Sequence, residues 1–299
     1  MDNILNSFLQ YLQKELFYSK HTISAYKNDL GVFARFLGNY DSNIGKDINN
    51  IDHNTIRHFL GREFELERSS KTIARRLASL KSFFKYLKAF ELIKMDPTLN
   101  IKTPKVEKYI PDFVQLKKIN QLMNLPDVKT IKGARDKTIL EIFYATGIRL
   151  SELVSLNIGS IDHRENILKV LGKGKKERII PFGMTAKSAM EDYLKMQGRS
   201  WESNPGLPLF TSNGKKRISK RTIQERLSKY LQIVLGSRKG ASPHTLRHTF
   251  GTHLLDNDAD IRSIQELLGH SSISSTQIYT KVNPQKLKKI YNKAHPHAK

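Results

Sequence analysis

The chain contains no cysteine. A disulfide framework, a zinc site built on thiolates and a cysteine nucleophile are therefore excluded. No uninterrupted apolar run reaches the roughly 18 residues of a bilayer span. The opening Met1-Asp2-Asn3-Ile4-Leu5-Asn6 lacks the basic start and apolar stretch of a secretion signal. A cytoplasmic protein with no membrane partner is the expectation. Neither an internal repeat nor a low-complexity tract is present. Acidic residues are scarce: 28 Asp and Glu against 51 Lys and Arg leave a formal net charge of +23. A field of that sign attracts polyanions, and nucleic acid fits it better than a membrane surface. The basic residues are spread through helical segments rather than massed in a tail, which points to a basic face on folded domains. At 299 residues, 38% of them hydrophobic, the chain is expected to divide into two domains with cores of their own.

The first hundred residues have helical periodicity. Ile4, Phe8, Tyr11, Leu12 and Leu16 recur at that spacing, the pattern restarts after Ser19-Lys20-His21-Thr22, and Gly38 reads as the cap of the second helix. A third helix is expected from about Asn54 to Glu65. A fourth, capped by Ser69-Ser70, carries Lys71, Arg75, Arg76, Lys81, Lys85 and Lys88 on its polar face. That face suits phosphates or is simply solvated. Pro97, Pro104 and Pro111 then punctuate a polar stretch that reads as a linker. The resulting division is 1–100 helical domain, 101–111 linker and 112–299 second domain. The second domain is mixed. A helix is expected from about Ala134 to Leu156, broken at Thr146-Gly147. Ile167–Leu171 and Arg178–Pro181 flank a Gly-Lys turn and read as a β-hairpin. Helices from Thr185 to Met196, Ser219 to Leu235, Ser242 to Asp256, Ile261 to Leu268 and Pro284 to Asn292 complete it. The fold class is mainly α with a small β-sheet.

Several residues in this second half bear chemistry. Ser242-Pro243 is a strong helix start. It places His244 and Arg247 three apart on one face near the positive end of a helix, a ready anion site; an ordinary amphipathic helix is the alternative. Arg149 follows the Thr146-Gly147 break in an apolar region, where its charge must find an anion or pair with Glu152. Lys173 lies in a Gly-flanked turn, either as a proton donor reaching a cleft or as one of the basic residues of that loop with Lys175, Lys176 and Arg178. His270 follows Gly269, which reads as a helix cap. Tyr279, beside Ile278, reads by itself as packing.

Taken in order, Thr-Gly-Ile-Arg (146–149), Gly-Lys-Gly-Lys-Lys-Glu-Arg (172–178), His-Thr-Leu-Arg-His (244–248), Leu-Gly-His-Ser-Ser (268–272) and Gln-Ile-Tyr (277–279) resemble the tyrosine recombinase, or phage integrase, family, and specifically its bacterial Xer-type members. The likeness covers nearly the whole chain, including Tyr291-Asn292-Lys293-Ala294-His295-Pro296 near its end. It implies a helical N-terminal core-binding domain that grips DNA and a mixed α/β catalytic domain ending in a protomer-linking helix. It implies that Arg149, His244 and Arg247 bind the scissile phosphate with His270 beside them, that Lys173 is the general acid, that Tyr279 is the nucleophile and that Glu152 supports the first arginine. Lys281 stands where many relatives have His.

The implied partners are double-stranded DNA at two sites, a homo- or hetero-tetramer with a related recombinase, and an FtsK-type DNA translocase. The implied role is resolution of chromosome dimers at a dif-like site during cell division and chromosome partition. A mobile-element integrase is the alternative within the family, though no long extra N-terminal arm-binding domain is evident. A type IB topoisomerase-like relaxing enzyme and a metal-dependent nuclease are alternatives outside it. Helix faces of both halves are expected to meet DNA, through Lys71, Arg75 and Arg76 and through Arg221 and Gln224.

These residue types suit the reaction. Phosphodiester cleavage needs an in-line nucleophile, positive charge on the non-bridging oxygens and a proton for the leaving alkoxide. Arginines can do the charge work that Mg²⁺ does elsewhere. A phosphotyrosyl link keeps the bond energy for rejoining, so neither cofactor nor ATP is expected.

Overall fold

The computed structural model describes residues 2–40, 47–106, 113–171, 177–212, 216–269 and 284–298. It divides into two compact units, Met1–Tyr109 and Ile110–Lys299. Among the described residues no helix is long and apolar enough to cross a membrane.

The first unit is helical: α1 (Asp2–Lys14), α2 (Lys20–Tyr40), α3 (His53–Glu65) and α4 (Ser70–Ala89). The caps follow from local chemistry. Asp52 accepts the Thr55 N–H at 2.7 Å, and Ser69 accepts that of Thr72, each satisfying a donor that the first helical turn leaves open. The apolar stripes of the four helices meet in one core built around Phe8, Phe33, Phe59, Leu77 and Phe84. Phe8 and Phe83 pack edge to face at 5.3 Å, a favoured arrangement of aromatic quadrupoles. This core extends to Ile101, inside the stretch expected as linker. Helix α2 runs two residues past Gly38, because a glycine with ordinary helical φ weakens a helix without ending it.

The second unit comprises α5 (Leu116–Met123), α6 (Ile131–Thr146), α7 (Leu150–Ser155), the antiparallel sheet β1 (Ile161–Asp162), β2 (Ile167–Leu171) and β3 (Glu177–Pro181), then α8 (Met184–Met196), α9 (Lys220–Leu235), α10 (Pro243–Asp256), α11 (Ile261–Leu268) and α12 (Pro284–Ala294). The strands lie in the order β1-β2-β3, with Ile167 opposite Pro181 and Leu171 opposite Glu177. The expected hairpin is therefore present. Helix α5 has no counterpart among the expected elements. The helix expected from Ala134 to Leu156 with a break at Thr146-Gly147 is two helices, α6 and α7, parted at that break.

Helix α6 is buried almost throughout and packs against α8 and α10. Its buried charged residues, Arg135, Asp136 and Glu141, survive burial because each is partnered. Asp136 accepts from Arg135, from Arg226 at 2.8 Å and from Tyr230 at 3.1 Å. Helix α12 packs on α10, α11 and β3 of its own chain, burying Tyr291, and His295 just after it is buried as well. The backbone of His297 lies so close to Gly183 that a Cβ there would meet its carbonyl oxygen at 1.9 Å, so this approach requires glycine.

Candidate active site

The turn between α6 and α7 explains how an arginine comes to face inward. Gly147 takes a left-handed φ of +56° and ends α6, a conformation glycine adopts without steric cost. Two residues later Arg149 becomes the residue before α7. Its backbone N–H is accepted by Glu152 at 2.7 Å, and its Nη1 donates to the same carboxylate at 3.0 Å. The pairing expected at this spacing is thus formed twice over.

Arg247 comes from the second turn of α10. Its guanidinium donates to the carbonyl of Gly147 and to that of Leu268. Arg149 Nη2 reaches the carbonyl of Gly269 at 2.6 Å. A third arginine, Arg178 on β3, forks onto Glu152 with two bonds of 2.8 Å and donates through Nε to Leu267 at 3.3 Å. Three successive carbonyls at the C-terminus of α11 are each taken by a different arginine. A helix end is where carbonyls lack partners and where positive charge is favoured.

Electrostatics here are tight. Burial pushes the Glu152 carboxyl up, but hydrogen bonds from Arg178 and from the Arg149 backbone outweigh it and hold the group below the usual carboxylate range. Burial, reinforced by the Arg149 charge, brings Arg247 down to about 10, which still leaves it protonated at neutral pH. The cluster holds three arginines and one carboxylate, an excess of positive charge suited to an anion.

His244, at the second position of α10, is exposed. Lys173, His270 and Tyr279 lie outside the described residues. Lys173 falls between Leu171 of β2 and Glu177 of β3. His270 follows directly on Gly269, whose φ of +63° ends α11. Arg178, expected to open the second strand of the hairpin and to share its basic loop, instead turns inward to Glu152, 26 residues away in the chain.

The expected DNA-facing residues have different fates. Lys71 is exposed. Arg75 pairs with buried Asp29, and Arg76 turns inward to buried Glu63. Arg221 is exposed and pairs along the helix with Glu225 at 2.7 Å, and Gln224 is exposed beside it. Among the described residues no group of three or more His, Asp or Glu is arranged to hold a metal ion.

Residues 112–286 match the phage integrase family, and residues 5–90 match the phage integrase N-terminal SAM-like domain. The chain is 40% identical over 309 aligned positions to the tyrosine recombinase XerC of Syntrophus aciditrophicus (strain SB), covering 100% of this chain and 99% of that one. It is 36% identical over 299 positions to the tyrosine recombinase XerD of Staphylococcus epidermidis (strain ATCC 35984), covering all of both. Its fold resembles the XerH site-specific recombinase bound to difH substrate in a pre-cleavage complex, with TM-score 0.67 and 19% identity over 95% of this chain and 82% of that one. It also resembles a lambda integrase dimer bound to a COC′ core site, with TM-score 0.65 and 17% identity over 93% and 99%. The chain belongs to the phage integrase family and is a DNA cleaving and rejoining enzyme, a tyrosine recombinase.

Proposed function

We propose that the chain cuts DNA site-specifically through Tyr279, forming a 3′-phosphotyrosyl link and a free 5′-hydroxyl. Arg149, Arg247 and His244 hold the scissile phosphate with His270 beside them. The Tyr279 phenol loses its proton to solvent as its oxygen attacks phosphorus and the P–O5′ bond breaks, and Lys173 gives the departing oxygen its proton. A 5′-hydroxyl of a second duplex then attacks the phosphotyrosine and releases the tyrosine, so strands are exchanged with no net loss of phosphodiester bonds. The observation that carries the reading is the meeting of Arg149 and Arg247 at the C-terminus of α11, from which the chain runs to His270 and Tyr279.

The full-length likeness to XerC and XerD recombinases supports a dif-like site, chromosome-dimer resolution and a cytoplasmic location. It equally supports a homo- or hetero-tetramer on two sites, with α12 linking protomers and an FtsK-type translocase as regulator. For α12 to link protomers it must leave its place on α10, α11 and β3. Exposed Lys71, Arg221 and Gln224 are the DNA-facing residues in this reading.

The test is a nicked suicide duplex carrying a dif-like site, incubated with the wild type and with Tyr279→Phe in EDTA without ATP. A covalent protein–DNA band from the wild type alone supports the reading. A band from both removes Tyr279 as nucleophile, and a band abolished by EDTA removes the metal-free chemistry.

A further inference from the structure

Glu152 is saturated. Its two oxygens accept the Arg149 N–H, the Arg149 Nη1 and both terminal nitrogens of Arg178. Arg178 is the larger contributor, because its planar fork matches the carboxylate with two bonds of equal length. The same guanidinium reaches the α11 carbonyl of Leu267, and it sits 3.0 Å from where a Cβ on Gly269 would stand. Arg178 thus braces three elements, β3, α7 and the end of α11. It is mostly buried, its side chain 14% exposed, whereas that of Arg149 is 35% exposed. Arg149 is the one placed to meet an incoming anion.

We infer that Arg178 is a positioning residue for DNA cleavage, fixing Glu152 so that this carboxylate orients Arg149 without neutralising it. The inference rests on the reading that Arg149 binds the scissile phosphate. A buried carboxylate with one cationic partner draws that partner fully onto itself. With Arg178 also on the carboxylate, its charge is divided between two guanidiniums. Arg149 then keeps positive charge for the phosphate, and its direction is set by two fixed acceptors, Glu152 and the Gly269 carbonyl. Losing Arg178 lets the Arg149 guanidinium collapse onto Glu152.

The test compares single-turnover cleavage of the duplex that the wild type cuts with the same duplex bearing a methylphosphonate at the scissile position. The methyl group removes the non-bridging charge that Arg149 would stabilise. Arg178→Gln and the milder Arg178→Lys are measured beside Arg149→Ala, with gel-shift affinities and thermal melts for each. On the ordinary phosphate, Arg178→Gln is expected to slow cleavage about 10- to 100-fold, less than the ~10²–10³-fold for removing a direct charge-stabilising donor. On the methylphosphonate the deficit of both Arg178 variants should shrink to within about threefold of the wild type, as should that of Arg149→Ala. If Arg149→Ala is rescued but both Arg178 variants stay equally slow on the two substrates, Arg178 is structural only and the inference is overturned. If Arg149→Ala is not rescued, the phosphate-binding reading fails and takes the inference with it.

Discussion

Arg247 of α10 donates both to the carbonyl of Gly147, at the end of α6, and to that of Leu268, at the end of α11. One guanidinium joins two helix termini that lie 121 residues apart in the chain (147 and 268). The planar fork is what makes this possible, since a lysine ammonium is a single point at the end of a flexible stem.

Arg247→Lys should therefore retain charge but lose placement. Cleavage of a suicide duplex is expected to fall by about 10²-fold or more, in line with loss of a preorganised charge-stabilising group. Affinity for the duplex should change only a few-fold. Single-turnover rates and gel shifts measured together check this, and near wild-type cleavage would show that the double contact is dispensable.

Gly147→Ala should unfold the catalytic unit more readily. The position has φ of +56°, and an added Cβ would lie 2.4 Å from a ring carbon of Phe250. Left-handed strain costs an L-residue about 1 kcal/mol, and overpacking adds about 1–3 kcal/mol. A urea titration should show a lower midpoint for that unit. An unchanged midpoint would mean that Phe250 moves aside at no cost.

Acid should destabilise the catalytic unit through the tail that follows α12. His295 Nε2 lies 3.0 Å from the Tyr144 carbonyl, and its Nδ1 lies 3.1 Å from the His297 N–H, so both ring nitrogens are used by the neutral form. Burial brings His295 down to about 3, with His297 and His253 opposing its charge. The facing groups are Tyr144, which bonds His253 at 2.9 Å, and Glu141, which pairs with Lys137 and lies near His297. The folded pKa is depressed, so the unfolded chain binds the proton first. Stability is complete above about pH 6.5 and falls as pH drops toward 3, by at most about 1.4 kcal/mol per unit from this group. Burial lowers His253 as well, in the same direction. His295→Gln keeps a donor and an acceptor but does not titrate. Melting temperatures between pH 6.5 and 4.5 should decline less steeply for this variant, and an identical decline would assign the effect elsewhere.

DNA affinity should depend steeply on salt. With about six or more phosphate contacts, binding is expected to weaken by at least ~10³-fold between 50 and 200 mM salt. Lys71→Ala should reduce the log–log slope by about one. Arg76→Ala should leave the slope unchanged yet destabilise the N-terminal unit by about 3 kcal/mol, because it strands buried Glu63. A reduced slope for Arg76→Ala would return that residue to the DNA face.

Much of this architecture is legible in the residues. The caps at Ser69 and Ser219, the stops at Gly147 and Gly269 and the short apolar runs of the hairpin are local, and local chemistry decides them. Helix α5 escapes because it is eight residues long and its cap position, Gln115, makes no side-chain cap bond. Gly38 misleads because glycine permits a left-handed turn without imposing one. The remaining surprises are all long-range pairings. Arg76 looks identical in sequence to its basic neighbours, and only the fold brings Glu63 and Asp29 to it. Arg178 is hidden among loop lysines for the same reason.

The burial of Tyr291 and His295 also has a consequence for biosynthesis. Arg149, Arg178 and Arg247 are synthesised before the residues that close the core beneath α10. A nascent chain paused at residue 280 already carries the whole cationic cluster in its sequence but lacks the last piece of the interior that holds α6 against α10. The interior beneath α10 is therefore complete only when the segment through His297 is present.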